Sequence, residues 1–328
     1  MVAAITTPDA RHSPSQRRLV VYVALAGNIA VAIVKLIAAV VTGSAAMFSE
    51  AVHSAVDCGN EGLLLYGYHR AARRPDLVHP FGYGRELYFW SFIVALLLFG
   101  LGAGVSIYQG IAHVIAPQPI ENPLVSYVVL GFSFVFEGSS WIVAWRAVKR
   151  ARGELSFWTA FRRSKDPPTF VVLFEDSAAL IGILIAILGI FVAIELEMPV
   201  LDGVASILIG LVLAVIAVLL AIESKSLLIG ERASPALVET ICAIAEREAG
   251  VVHANSALTA QLSPDQAVVA LSIEFERDLR TDDIERCVAS IERAVRASHP
   301  EVIALFVKPE KIVDSRAASE RRFTILSK

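Results

Sequence analysis

Charge is scarce in this chain. Only 19% of its 328 residues are Asp, Glu, Lys or Arg, against 55% hydrophobic, a balance too apolar for an ordinary soluble enzyme of this length. Cysteine is scarcer still. Cys58, Cys242 and Cys287 are odd in number and lack the paired spacing of a zinc knuckle; they offer no disulfide framework and read as reduced, packed thiols. The charged C-terminal part holds no nucleophile and base grouping and no glycine loop to cradle phosphate. That disfavours a membrane enzyme, and nothing marks a resident cofactor or a nucleic-acid partner. The opening MVAAITTPDARHSPSQRR has neither a short apolar core nor a small-residue cleavage pattern, so it reads as a cytosolic tail rather than a signal peptide.

What the chain has is long apolar runs, with a mean hydropathy of +0.62. A helix needs roughly 20 apolar residues to cross a bilayer, and the segments at about 18–43, 46–68, 87–115, 123–147, 169–194 and 200–222 meet that need. An α-helical membrane protein with six transmembrane helices is the expected fold. The tail carries Arg11, Arg17 and Arg18, the second loop Arg70, Arg73, Arg74 and Arg85, and the fourth Lys149, Arg150, Arg152, Arg162, Arg163 and Lys165. The loops TGSAA, APQPIEN and IELEMP carry no Lys or Arg, so the positive-inside rule puts both termini in the cytosol. From about Ser234 to Glu310 the pattern changes to an amphipathic helix, a strand near Ala257 to Leu262, a turn at SPDQ, a second strand, a helix over Thr281 to Ser298 and a last strand. That order suits a small α+β layer with both helices on one sheet face. The expected organisation is a tail (1–17), a six-helix membrane domain (18–230), a cytosolic domain (231–310) and a charged tail (311–328).

Polar groups interrupt the second run, SEAVHSAVDCGNEGLLLYG. His53, Asp57 and Glu61 recur every fourth residue with Asn60 near the azimuth of His53, so they share one drifting helix face. Ionisable groups at membrane depth are costly and functional by default. An imidazole and a carboxylate on successive turns can give two ligands to one divalent ion, and mixed nitrogen and oxygen suits zinc more than magnesium or calcium. The fifth run adds the adjacent Glu175 and Asp176, of which one, Asp176, completes the site while the other turns to a neighbour or a solvent path. The competing reading makes all of these helix-packing groups bonded to each other. Lys35, inside the first run, either snorkels or, as the preferred reading, pairs with Glu137 of the fourth or with an acid of the second; Glu137 is otherwise a proton-handling group. Asp202 opens the sixth span as a residue favoured by the helix dipole.

The segments GSAAMFSEAVHSAVDCGNEGLLLYG, HPFGYGRELYFWSFIVALLLFGLGAGVSIYQG, LFEDSAALIG and DGVASILIGLVLAVIAVLLAIESKSLLIGE resemble the cation diffusion facilitator family, from about Leu19 to Lys308. The resemblance implies a homodimeric six-span transporter exchanging a divalent metal, most often zinc, for protons, with a cytosolic ferredoxin-like domain that helps pair the subunits. It implies His53, Asp57 and Asp176 as metal ligands. Val172 stands where the family usually has a fourth ligand, a histidine, leaving water, Asn60, Glu61 or Glu175 for that place. EDSAA and HPFGYGRE look like the branch that includes mitochondrial zinc transporters. In the C-terminal domain Phe306 and Lys308 replace the ligands of the family's regulatory zinc sites, and His253 and His299 sit at expected helix-loop boundaries, so dimer packing is that domain's expected role. The expected location is a bacterial inner (plasma) membrane. Rival readings are transport of iron, manganese, cobalt or nickel, and a membrane-anchored interaction protein with a structural metal site.

Overall fold

The computed structural model describes residues 14–314, with side-chain surroundings from Gly27 onward except at 151, 163 and 167–169. Residues 1–13 and 315–328, most of the two expected tails, lie outside the described residues. The described chain forms two compact units. One comprises residues up to Arg70 together with Glu86–Lys225; the other comprises Ala71–Arg85 and the chain from Ser226.

The first unit is helical. Its long helices are α1 (Pro14–Thr42), α2 (Ala45–Ala71), α3 (Glu86–Ile115), α4 (Pro123–Arg152), α6 (Pro167–Glu195) and α7 (Val200–Ile229), with the short α5 (Phe157–Arg163) between α4 and α6. Proline at the first turn opens α4 and α6, where its missing N–H costs nothing and its fixed φ suits the helix. The Ser156 hydroxyl caps α5 through the Thr159 N–H. That short helix was not expected, since its seven residues fall in what reads as a basic loop. Its Phe157 and Phe161 pack among Trp145, Phe170 and Phe174, burying an aromatic cluster over the ends of α4 and α6. Arg17 and Arg18, expected in the tail, fall within the α1 backbone.

Among the described residues four helical stretches are long and apolar enough to cross a membrane: Glu86–Ile115, Pro123–Arg150, Phe170–Glu195 and Val200–Ile229. The expectation of six is met only this far. The described apolar part of α1, Gly27–Thr42, is shorter, and α2 is diluted by Glu50, His53, Asp57 and Glu61. Many of the large side chains on the long helices face outward, Val40, Phe132, Leu188 and Ile222 among them, as lipid-facing surfaces require.

Small residues set the helix spacing: a Cβ on Gly189 of α6 would collide with the Ala205 side chain of α7. A Cβ on Gly110 would meet the Gly203 carbonyl at 2.7 Å, and one on Gly203 the Gly110 carbonyl at 2.9 Å. The backbones of α3 and α7 therefore cross in direct contact. Gly100 has nothing near it; the segment Leu98–Ala103 forms instead a π-helical turn within α3, a local irregularity of the kind that marks functional helices.

The second unit is α8 (Pro235–Glu246), β1 (Val251–Ser263), β2 (Gln266–Phe275), α9 (Thr281–Ser298) and β3 (Val302–Pro309). The sheet order is β1-β2-β3, antiparallel then parallel. β1 starts six residues before the expected Ala257, because register shifts near Val251/His253 and Ala254/Ser256 break the alternation that a strand search reads. Ala267, Val269, Leu271 and Ile273 alternate onto one face, where Leu237, Ile241 and Ala245 of α8 and Cys287, Ile291 and Val295 of α9 complete a single core. Both helices cover that face. Burial raises the thiol pKa of Cys242 and Cys287, which keeps them protonated, as packed thiols should be. His253 lies inside β1, not at a helix-loop boundary, 2.8 Å from Glu246; His299 ends α9, 3.1 Å from Glu301.

Candidate metal and proton site in the helical unit

A cavity of about 180 Å³ opens among α1, α2, α4 and α6. Five carboxylate residues front it: Asp57 and Glu61 from α2, Glu137 from α4, and Glu175 and Asp176 from α6. Asn28, Ser54, Ser139 and Ser140 add neutral polar groups, while Val31, Phe136 and Val172 supply apolar wall. Such a concentration of acid at this depth is tolerable only with partners. Neutral donors meet three of the acids: Asn28 Nδ2 donates to Glu61 Oε1 at 2.7 Å, Asn60 Nδ2 to Glu175 Oε1 at 2.7 Å, and Ser140 Oγ to Asp176 Oδ2 at 2.9 Å.

Asp57 differs. Its Oδ1 is buried without a hydrogen-bond partner among the described residues, and so are both ring nitrogens of His53. The two side chains lie 3.5 Å apart, Nδ1 to Oδ1, one helical turn from each other on α2. His53 is fully buried and stands behind Asp57 rather than in the cavity wall. Among the described residues no three His, Cys, Asp or Glu side chains already form a group that could hold a metal ion. His53, Asp57 and Asp176 are thus not drawn into a finished triad. Asp57 and Asp176 face the same cavity, but the Asp176 carboxylate is turned to Ser140, and closing a shell needs a rotation of side chains or helices. Val172 does line the cavity, on the same helix as Glu175 and Asp176.

Two arrangements go further than the sequence reading. Lys35 is fully buried and pairs with Glu50 at 3.2 Å and with Glu137 at 3.8 Å, while donating to Ser54 Oγ at 2.8 Å. Both partners anticipated for it are present, an acid of the second helix and Glu137, but the closer, Glu50, was not singled out although it lies three residues before His53. Asp202, expected to serve its own helix N-terminus, caps another: it accepts from the backbone N–H of Ala45 at 2.5 Å and from Ser44 Oγ at 2.8 Å, both at the start of α2. His113 Nε2 lies 3.8 Å from the same carboxylate. The helix that carries His53 and Asp57 is therefore anchored by a buried acid 157 residues away in sequence, a link that periodicity cannot reveal.

A polar, acid-lined cavity inside a bundle of apolar helices defines a class of membrane proteins that handle cations. Residues 21–229 match the family model described as the cation efflux transmembrane domain, and the chain belongs to this cation efflux, or cation diffusion facilitator, family, a family of transporters rather than enzymes. Its relatives include a protein of Xenopus laevis named proton-coupled zinc antiporter SLC30A9, mitochondrial, 33% identical over 297 residues, which cover 88% of this chain and 53% of that one. The human protein of the same name is 31% identical over 299 residues, 88% of this chain and 52% of its own length. Metal tolerance protein C4 of Arabidopsis thaliana is 34% identical over 168 residues, 51% of this chain and 37% of that one. The chain thus spans about half the length of the antiporter relatives it matches. The expected bacterial inner (plasma) membrane, with termini in a bacterial cytosol, is overturned by these names: the relatives matched across 88% of the chain are mitochondrial.

Proposed function

We propose that the chain moves a divalent cation, zinc, across a membrane in exchange for protons, using the acid-lined cavity as the transport site. The observation that carries this reading is the cavity itself: Asp57 and Asp176, from two helices, front one polar space with room for an ion and water, inside the region that matches the cation efflux domain. The relatives named proton-coupled zinc antiporters support zinc and protons as the substrates and a mitochondrial membrane as the location. Six helices span that membrane, α1 and α2 being admitted because their polar residues turn inward to the cavity. The C-terminal layer acts as a ferredoxin-like dimerisation domain in a homodimer. The working boundaries are 18–230 for transport and 231–310 for dimerisation.

In the cycle Asp57 and Asp176 bind the ion when ionised, with His53 reaching it after a turn of α2. Glu175, Glu61, Asn60 or water completes the shell. A proton and a metal cannot occupy the same carboxylate or imidazole lone pair. Exposure to the proton-poor side therefore loads metal, exposure to the acidic side loads protons, and rocking of the helices alternates access between them. A second reading, iron, manganese, cobalt or nickel as cargo, draws on one feature: the cavity wall is all oxygen donors, with His53 behind it, and oxygen-rich sites favour harder ions.

The test is flux of a divalent-metal panel into proteoliposomes of the purified chain under an imposed pH gradient. Zinc is expected to move fastest; a structural metal site or interaction protein would move none.

A further inference from the structure

We propose that Lys35 is a resident cation at the edge of the transport cavity: its ammonium fills the place between Glu50 and Glu137 that a second metal ion would otherwise take beside the transport site, and so limits the helical unit to one divalent ion. The proposal rests on the transport-site reading above. Its basis is the geometry of one buried side chain. Lys35 rises from α1 with no exposure and reaches Glu50 Oε2 at 3.2 Å and Ser54 Oγ at 2.8 Å on α2, with Glu137 Oε1 at 3.8 Å on α4. Ser54 and Glu137 are also cavity wall, shared with Asp57 and Asp176. The ammonium thus stands at the boundary between a private acid, Glu50, and the acids that face the cargo.

Glu50 is built to need a cation. It is fully buried, its Oε1 has no hydrogen-bond partner among the described residues, and Gly182 of α6 makes room for that oxygen, since a Cβ there would collide with it. A buried carboxylate in an apolar bundle is costly unless it is neutralised. Lysine suits the task because it is a compact point charge on a flexible stem, delivering one positive charge without the geometry of a coordination shell. Without it, Glu50 and Glu137 would present two carboxylates around one cation-sized space beside the transport site, and a divalent ion is the natural occupant of such a pair.

A structural pair sets stability only. A resident cation also sets how many metal ions bind, and its positive charge weakens the site it borders.

The experiment is equilibrium zinc titration of the full chain purified in detergent, with bound zinc counted per chain. For Lys35→Gln the expected result is one additional zinc per chain over the wild type, and for the double variant Lys35→Gln with Glu50→Gln a return to the wild-type count. An unchanged count in a monodisperse Lys35→Gln protein overturns the proposal, as does an additional zinc that persists in the double variant. Where Lys35→Gln does not fold, Glu50→Gln decides. It keeps the ammonium but removes its nearer acid, leaving Glu137 at 3.8 Å as the remaining partner, and the less compensated charge should weaken zinc binding; unchanged affinity overturns the proposal. Asp57→Ala in the same titration tells the two readings apart. Wild-type binding that Asp57→Ala abolishes, with no change from Lys35, removes the Lys35 role alone, while zinc binding indifferent to Asp57 removes the transport site and the proposal with it.

Discussion

Asp57 and Asp176 are the residues on which cargo charge should depend, since both face the cavity and come from different helices. Replacing either by alanine is expected to reduce metal flux to the level of empty vesicles while leaving a folded protein; wild-type flux in either variant would show that the ion passes elsewhere. Val172 offers the opposite experiment. It lines the cavity one helical turn before Asp176, so Val172→His adds an imidazole aimed at the same space. A fuller shell of protein ligands should hold zinc more tightly without faster exchange, because an ion bound equally well in both facing states gains nothing in turnover. Rising affinity in the purified variant, with a maximal rate unchanged or lower, is the expected outcome, whereas unchanged affinity would mean that residue 172 does not meet the ion. Outside the membrane helices Asp76 gives a pH prediction. The Tyr83 hydroxyl and the His79 and Val78 amides donate to its exposed carboxylate and hold its pKa at about 2. A depressed carboxylate pKa contributes stability above its ordinary value, near 3.8, that is lost as pH falls through 2. Tyr83→Phe should raise the Asp76 pKa, as carboxyl NMR titration would read directly.

Helices explain why some of this was legible in sequence and some was not. Of His53, Asp57 and Glu61, the last two front the cavity and His53 does not: α2 runs unbroken from Ala45 to Ala71, so the helical period puts the three on successive turns but leaves open which of them meets the cavity. The inward turn of Glu50 and the anchoring of α2 by Asp202 could not be read, because both depend on which helix lies alongside. Glu50 needed Lys35 of α1 and the space left by Gly182 of α6. Similarly, the Gly110 and Gly203 contact was hidden because each glycine looks ordinary until α3 and α7 are placed together. Two variants measure these couplings. Asp202→Ala strips the acceptor from the Ala45 N–H and Ser44 hydroxyl, and leaving a buried donor unmet costs about 1 to 3 kcal/mol; a thermal midpoint several degrees lower in detergent is the expected reading. Gly203→Val forces a side chain into the Gly110 backbone. It should lower the midpoint as much or more, since overpacking typically costs about 1 to 3 kcal/mol. An unchanged midpoint in either variant would contradict the contact it removes.

At the scale of the whole molecule, the helical unit brings an acid-lined cavity together with buried charge compensation, and the mixed sheet with its two helices forms a separate core. The order of elements in that second core was legible because its hydrophobic alternation is regular along β2 and its helices are amphipathic; only β1, where the register shifts, began earlier than its pattern implied. The central claim is that one cavity serves both metal and protons. It is tested most directly in sealed proteoliposomes of the purified chain, loaded with a pH-sensitive dye, clamped electrically and given a zinc gradient with no pH gradient. Zinc entering down its gradient should drive protons out, making the lumen alkaline, and Asp57→Asn should abolish both fluxes together. Zinc entry with no proton movement, or proton movement that survives Asp57→Asn, would contradict the account.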